Sequence, residues 1–188
     1  MNVAIVPKRH RITVEEFQRM GEAGIFPEDK RVELIEGEII DMGPIGNPHA
    51  SSVRKLIHTL SRQINGKALL DVQNPILLDE SSEPQPDIVI LRPRSDFYAT
   101  HTPTAKDVLL LIEVADTSLD YDHNVKIPLY ARHGIPEVWL IDLENQVIEV
   151  YRNPTPQGYT SVQAYQAGEI IQAETISGIK LNPGQLFD

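Results

Sequence analysis

The run Val108-Leu109-Leu110-Leu111-Ile112-Glu113-Val114-Ala115 sets the strongest constraint on the fold. All but one of its residues are apolar. It falls well short of the roughly 18 residues that a membrane span requires. A continuous apolar run of this length reads as a strand at the centre of a sheet. The exception is Glu113, a carboxylate that is costly to bury unless it is paired or bound to a cation. Either it faces solvent from a half-exposed strand or it belongs to a charged site. The apolar residues on both sides favour the second reading.

The remaining pattern surrounds this strand with helices and further strands. Thr13-Val14-Glu15-Glu16 is a capping box that predicts a helix over 13–24. Residues 31–42 read as two strands around a tight turn at Glu36-Gly37. Between 49 and 64, apolar residues recur at Ala50, Val53, Leu56, Ile57, Leu60 and Ile64, the stripe of an amphipathic helix. Strands are expected at 68–72, 75–78 and 88–91, with a loop over 93–106. A polar turn at 116–121 precedes a helix that starts at Asp122 or His123 and stops at Gly134. Strands follow at 137–142 and 147–152, then a β-rich tail over 153–188 with strands at 158–165, 169–172 and 175–179. The fold class is α/β, bordering on α+β: a mixed sheet flanked by few helices. No linker divides the chain, so residues 1–188 are expected to form one domain. Its core spans about 30–152.

Charge narrows the function. Lys plus Arg number 17 against 27 Asp plus Glu, a net charge of −10. That total argues at first sight against a nucleic-acid partner. Yet no acid lies between Asp41 and Asp71, a stretch that holds Arg54, Lys55, Arg62 and Lys67 with His49 and His58. This segment is either a solvated helix face or a surface that meets phosphate. With 41% apolar and 23% charged residues, disorder, collagen and coiled coil are excluded. The absence of Cys excludes disulfides, thiolate zinc sites and thiol nucleophiles. No secretory signal or membrane span is read, and a cytoplasmic protein is expected. No phosphate-binding glycine loop, H-E-x-x-H pair or G-x-S-x-G elbow is present.

The candidate chemistry lies in the carboxylates. Asp87 opens the apolar run Ile88-Val89-Ile90-Leu91, where it either caps a turn or joins Glu113. Two carboxylates on neighbouring strands make a hard-oxygen site suited to Mg²⁺. Glu33, within Val32-Glu33-Leu34-Ile35, is a third candidate; its alternative is a paired charge on an edge hairpin. Lys126 is placed either to pair with Asp122 at i, i+4 or to aim an ammonium at the carboxylates. Spacing alone favours the former. Tyr130, one turn on, borders the same place.

These residues match a pattern in order and spacing. Gln85-Pro86-Asp87, followed 26 residues later by Glu113-Val114-Ala115, resembles the PD-(D/E)XK nuclease signature. More closely, the chain resembles the Uma-type "putative restriction endonuclease" family of bacteria. The matching text is Val32-Glu33-Leu34-Ile35-Glu36-Gly37-Glu38, Gly46-Asn47-Pro48-His49, Gln85-Pro86-Asp87-Ile88 and Ile112-Glu113-Val114-Ala115-Asp116-Thr117-Ser118. The block from Lys126 to Asp142 completes it. The resemblance implies a restriction-endonuclease-like core, with Asp87 and Glu113 as ligands of Mg²⁺ or Mn²⁺. It also implies a main-chain carbonyl near Val114 or Ala115 as a further ligand, and Glu33 as an additional acid. The motif's lysine falls on Ala115, and the family's migrated lysine points to Lys126. His49 and Gln85 match family positions that support the ligands or face phosphate.

The reading that follows is a metal-dependent DNA endonuclease with Asp87, Glu113, Lys126 and Glu33 in its site. Arg54, Lys55 and Arg62 would guide the DNA backbone, and binding is expected to be weak and salt-sensitive. A homodimer is expected, because cutting both strands of a duplex calls for two sites. Two alternatives stay open: a nuclease-fold DNA-binding or regulatory module with little or no cleavage, and a metal-dependent hydrolase of another phosphoester.

Overall fold

The computed structural model describes residues 9–27 and 29–187, and the chain divides into two compact units. The first unit comprises the N-terminal segment through Gly43 together with residues 77–84. Its helix α1 (Val14–Glu22) begins as the capping box requires: Glu16 N donates to Thr13 Oγ1 at 3.2 Å and Thr13 N to Glu16 Oε2 at 2.8 Å. Strands β1 (Val32–Ile35) and β2 (Glu38–Asp41) pair antiparallel, with Glu33 opposite Ile40. Their turn needs two left-handed residues, and Glu36 and Gly37 supply them with φ of 48° and 78°. A Cβ at Gly37 would lie 2.6 Å from Arg11 Cβ, so the position admits only glycine without rearrangement. The predicted strand over 75–78 does not form. From Leu77 the chain joins the first unit, where Glu83 N donates to the Leu34 carbonyl at 2.8 Å and Gly37 N to the Ser81 carbonyl at 2.7 Å.

The second unit carries a mixed sheet of order β3-β4-β5-β6-β7-β8. Helix α2 (Asn47–Ile64) precedes it, with Pro48 in its first turn where a missing N–H costs nothing. The strands are β3 (Leu69–Val72), β4 (Ile88–Leu91), β5 (Val108–Ala115), β6 (Glu137–Asp142), β7 (Val147–Thr155) and β8 (Gly158–Tyr165). All neighbours are antiparallel except β5 and β6, which are parallel and therefore need a crossover. The crossover is helical from Leu119 to Arg132: α3 (Leu119–Tyr121), a π-helical turn (Asp122–Lys126) and α4 (Ile127–Arg132). The sequence placed the helix start at Asp122 or His123. It starts earlier because Ser118 already accepts the backbone bond from Asp122 N at 2.9 Å.

Alternation along the strands separates two faces. Ile88, Ile90, Leu110, Ile112, Val114, Trp139, Ile141, Ile148 and Val150 share one core cluster with Val53, Leu56, Leu60 and Ile64 of α2. The tail completes that cover. It forms β9 (Ile171–Gln172), β10 (Lys180–Leu181) and α5 (Gly184–Phe187), and brings Ile171, Ile176, Ile179, Leu181 and Leu186 to the same cluster. Residues 175–179, expected as a strand, form a turn instead. The backbone N–H groups of Glu174 and Thr175 are drawn to the carboxylate of Glu137 at 2.9 and 3.3 Å. Among the described residues no helix is long and apolar enough to cross a membrane.

Glu137 is fully buried, and both its oxygens are taken: Oε1 accepts from Trp139 Nε1 and from Arg152 Nε and Nη2, and Oε2 from the tail. Removing it would leave the Trp139 indole N–H and two tail amides without their acceptor and take the buried Arg152 guanidinium's carboxylate partner on β6, leaving it the Gln172 carbonyl and Glu174. Glu137→Ala is expected to lower stability by about 3–5 kcal/mol, read from the urea unfolding midpoint.

Candidate active site

The carboxylates of Asp87 and Glu113 meet where the pairing of β4 and β5 stops. Ile88 pairs with Ile112 in antiparallel register, so one step further Asp87 stands across from Glu113. Alternation puts both on the face opposite the α2 core. There the backbone turns from ladder to site: Asp87 N donates to Glu113 Oε2 at 3.3 Å, and Val114 N donates to Asp87 Oδ2 at 3.0 Å. The N–H and C=O of a strand residue point to the same edge. The Val114 carbonyl therefore points to the Asp87 side as well.

Glu113 is 3% exposed, and the crossover supplies its partners. Lys126 Nζ donates to Oε1 at 3.2 Å, and the Tyr130 hydroxyl donates to the same oxygen at 2.6 Å. Both donors are buried. They lie one turn apart, Lys126 at the end of the π-helical turn and Tyr130 in α4. The π turn is held at its N-terminal end. Ser118 Oγ donates to Asp122 Oδ2 at 2.6 Å, and His123 Nε2 contacts Glu149 Oε2 on β7 at 2.7 Å. π turns recur at functional sites, where they re-aim a side chain.

Asp87 is gripped from the other side. His49 Nε2, in the first turn of α2, lies 3.0 Å from Asp87 Oδ2, and Gln73 Nε2 donates to Asp87 Oδ1 at 3.1 Å. The His49 bond needs the proton on Nε2. His49 Nδ1 is buried and has no hydrogen-bond partner.

The two acids are pushed in opposite directions. Burial drives the Glu113 carboxyl up to about 8. The Lys126 charge opposes that shift, the charges of Asp122 and Asp87 add to it, and the Tyr130 hydrogen bond pulls back. Asp87 is also penalised by burial, but bonds from His49, Gln73 and the Val114 amide outweigh it and hold the carboxyl below its ordinary value. Two acids separated in this way suit different tasks at neutral pH.

Each carboxylate keeps capacity. Asp87 Oδ1 accepts one bond, from Gln73, and Glu113 Oε2 one, from the Asp87 amide. A carboxylate oxygen has room for a second interaction. Among the described residues no three His, Asp or Glu side chains are placed to hold a metal ion together. The side-chain donors are thus two hard carboxylates beside a main-chain carbonyl. That set fits a cation such as Mg²⁺, which keeps several waters and takes few protein ligands.

Of the residues expected from sequence, Asp87, Glu113, Lys126, Tyr130 and His49 come together. Gln85 lies half-buried two residues before Asp87. Glu33 is 2% exposed on β1, in the first unit. The basic residues of α2 are not brought to the site. At about 100° per residue, Arg54 and Arg62 fall on the side of the helix opposite His49, and both are exposed. Lys55 is partly buried and donates to the Leu186 carbonyl at 3.0 Å, so it serves the tail rather than an open face. Sequence reasoning missed Gln73, whose φ of 54° turns the chain out of β3. It also missed the burial of Asp122, which is 4% exposed. The Asp122–Lys126 spacing was the one available signal for the latter.

The chain adopts a fold also seen in a solved structure from Anabaena variabilis, described as "a putative nuclease belonging to DUF820". The two agree with a TM-score of 0.74 at 21% identity, over 94% of this chain and 97% of that one. The chain belongs to the Uma2 family, described as "Putative restriction endonuclease", whose family model matches residues 14–184. The mixed sheet flanked by helices and the family resemblance are thereby borne out. None of the curated proteins matches the chain.

The raised Glu113 carboxyl has a measurable consequence. The folded state holds its proton up to about pH 8, whereas the unfolded chain releases it near 4.5. Between those values the folded state binds more protons, so stability falls as pH rises. In EDTA, the urea midpoint of the wild type is expected to decline from pH 5 to pH 8 relative to that of Glu113→Gln. Parallel pH profiles for the two proteins would contradict the assignment.

Proposed function

We propose that the chain is a nuclease that hydrolyses DNA phosphodiester bonds with Mg²⁺ or Mn²⁺. The observation that carries this reading is the opposition of Asp87 and Glu113 at the open end of β4 and β5. Family membership adds the substrate class. Asp87, Glu113 and the Val114 carbonyl would hold the cation. When bound, it would supply a lowered pKa for water and polarisation of a phosphoryl oxygen. His49 and Gln73 fix the Asp87 carboxylate in place. Tyr130 and Lys126 fix Glu113, and the Lys126 ammonium offsets negative charge that develops on the phosphate.

The net charge of −10 and the outward direction of Arg54 and Arg62 support weak, salt-sensitive DNA binding. A two-fold dimer would present two sites to a duplex. One observation favours a second reading. Ala115 stands where the signature has a lysine, and a module that binds DNA with little cleavage would tolerate that.

Plasmid and single-stranded DNA incubated with Mg²⁺ or Mn²⁺ decide between them. Wild type is expected to cleave. Asp87→Ala is expected to lose at least a hundredfold in rate, and Lys126→Ala about as much, in keeping with the loss of one electrostatic stabiliser. Cleavage that persists in Asp87→Ala, Glu113→Gln and Lys126→Ala would overturn the assignment. DNA binding without cleavage supports the second reading. Turnover of small phosphodiesters without DNA affinity points to another phosphoester.

A further inference from the structure

The loop between β4 and β5 holds an aromatic ring in water. Phe97 is 72% exposed, whereas Phe17, Phe26 and Phe187 are half-buried. Phe97 and Tyr98 are consecutive and both left-handed, with φ of 51° and 60°. Bulky residues adopt that conformation only under constraint. The constraint is visible in the loop. Arg94 Nε and Nη2 donate to Asp96 at 2.8 and 3.0 Å, and Thr100 Oγ1 donates to Asp96 at 3.1 Å. The Tyr98 hydroxyl donates to the Arg92 carbonyl at 2.9 Å, and the Arg94 guanidinium lies 5.1 Å from the Tyr98 ring centre. Folding alone gives no reason to brace a loop so that a phenyl ring stays in solvent.

Phe97 lines a cavity of about 670 Å³ shared with β3, the edge strand of the sheet. Leu69 and Leu91 give the cavity an apolar lining, and Asp71, Asn74 and His101 give it polar groups. Asn74 Nδ2 donates to Asp71 Oδ1 in a short contact, and the pair presents acceptor oxygens. Three exposed cations lie near this end of the sheet, next in sequence to its strand ends. Lys67 comes two residues before Leu69, Arg92 directly follows Leu91, and Arg92 Nε donates to the Lys106 carbonyl at 3.0 Å. Leu91 pairs with both Leu69 and Val108, which brings these three positions to one end of the sheet. Asp87 is four residues from Leu91, about 13 Å along an extended strand.

An exposed aromatic face, acceptors in a half-apolar cavity and cations at the same end of the sheet are what an unpaired nucleobase and its phosphates require. The volume suits a ligand of nucleotide size. We infer that this cavity is a base-binding subsite for single-stranded DNA. One base stacks on Phe97, with its amino edge toward Asp71 and Asn74 and its flanking phosphates toward Lys67, Arg92 and Lys106. The choice of DNA rests on the nuclease reading above; the presence of a stacking site does not.

The test is titration of the full chain with a short single-stranded oligodeoxynucleotide carrying one 2-aminopurine, whose fluorescence falls when it stacks. Wild type is expected to quench it. Phe97→Ala is expected to bind about tenfold more weakly and to lose the quench, whereas Phe97→Trp keeps both. Lys106→Ala is expected to lower the slope of log affinity against log salt by about 0.7. Phe97→Gly separates binding from folding. Glycine adopts this φ freely, so its Tm is expected to stay level or rise while binding falls. No quench by wild type, or equal binding by wild type and Phe97→Ala, overturns the subsite. A fall in Tm for Phe97→Gly with unchanged binding does so as well. Asp87→Ala keeps the two proposals apart: it is expected to abolish cleavage and spare the quench. Cleavage that survives in Asp87→Ala overturns the catalytic reading alone.

Discussion

The burial of Glu113 organises the second unit. A carboxylate taken from water into an apolar strand must find partners or take up a proton. Here it does both in part. Lys126 and Tyr130 converge on one of its oxygens, and its carboxyl is still shifted upward. Those partners come from the crossover between β5 and β6, the one parallel pair in the sheet. The same topology that requires a helix over this face therefore supplies the cation and the hydroxyl. On the other side, Asp87 closes the arrangement through its own amide and the Val114 amide.

The sheet contains a second buried carboxylate, and the contrast is informative. Glu137 is equally inaccessible, but Arg152, Trp139 and the tail saturate both its oxygens. Nothing remains for a ligand, and its work is to bind the tail to the sheet. Glu113 has one crowded oxygen and one lightly used. Burial alone does not distinguish a structural acid from a site acid; the unused acceptor capacity does.

Much of this was legible in residue order. The apolar run with Glu113 inside it, the capping box at Thr13 and the Glu36-Gly37 turn each depend on local chemistry, and each formed as expected. Asp87 and Glu113 could be nominated because carboxylates beside apolar strands are expensive. Their register was beyond reach, because it is set by pairing across 26 residues. Lys126 shows the limit most clearly. Its spacing favoured Asp122, and only the π-helical turn, which no local pattern announces, gives the direction of its side chain. Residues 75–78 and 175–179 looked like strands, but the former straddle the boundary between the two units and the latter lead from amides held by the distant Glu137. The basic segment on α2 was visible as charge, but the face it occupies followed from which side packs.

The way the tail lies over α2 bears on how the chain folds. Lys180 N donates to Gln63 Oε1 at 2.6 Å, Gln63 Nε2 donates to the Lys180 carbonyl at 2.9 Å, and Lys55 reaches Leu186. These contacts span more than a hundred residues of sequence. Such long loops must close before their contacts repay the lost entropy, which slows folding. Until they close, the leucines and isoleucines of α2 and the sheet face beneath it are only half covered. A collapsed intermediate with the sheet formed and the tail undocked would expose that surface and self-associate. The kinetic hazard of this protein therefore lies in the docking of its last short strands, far from the residues that define its chemistry.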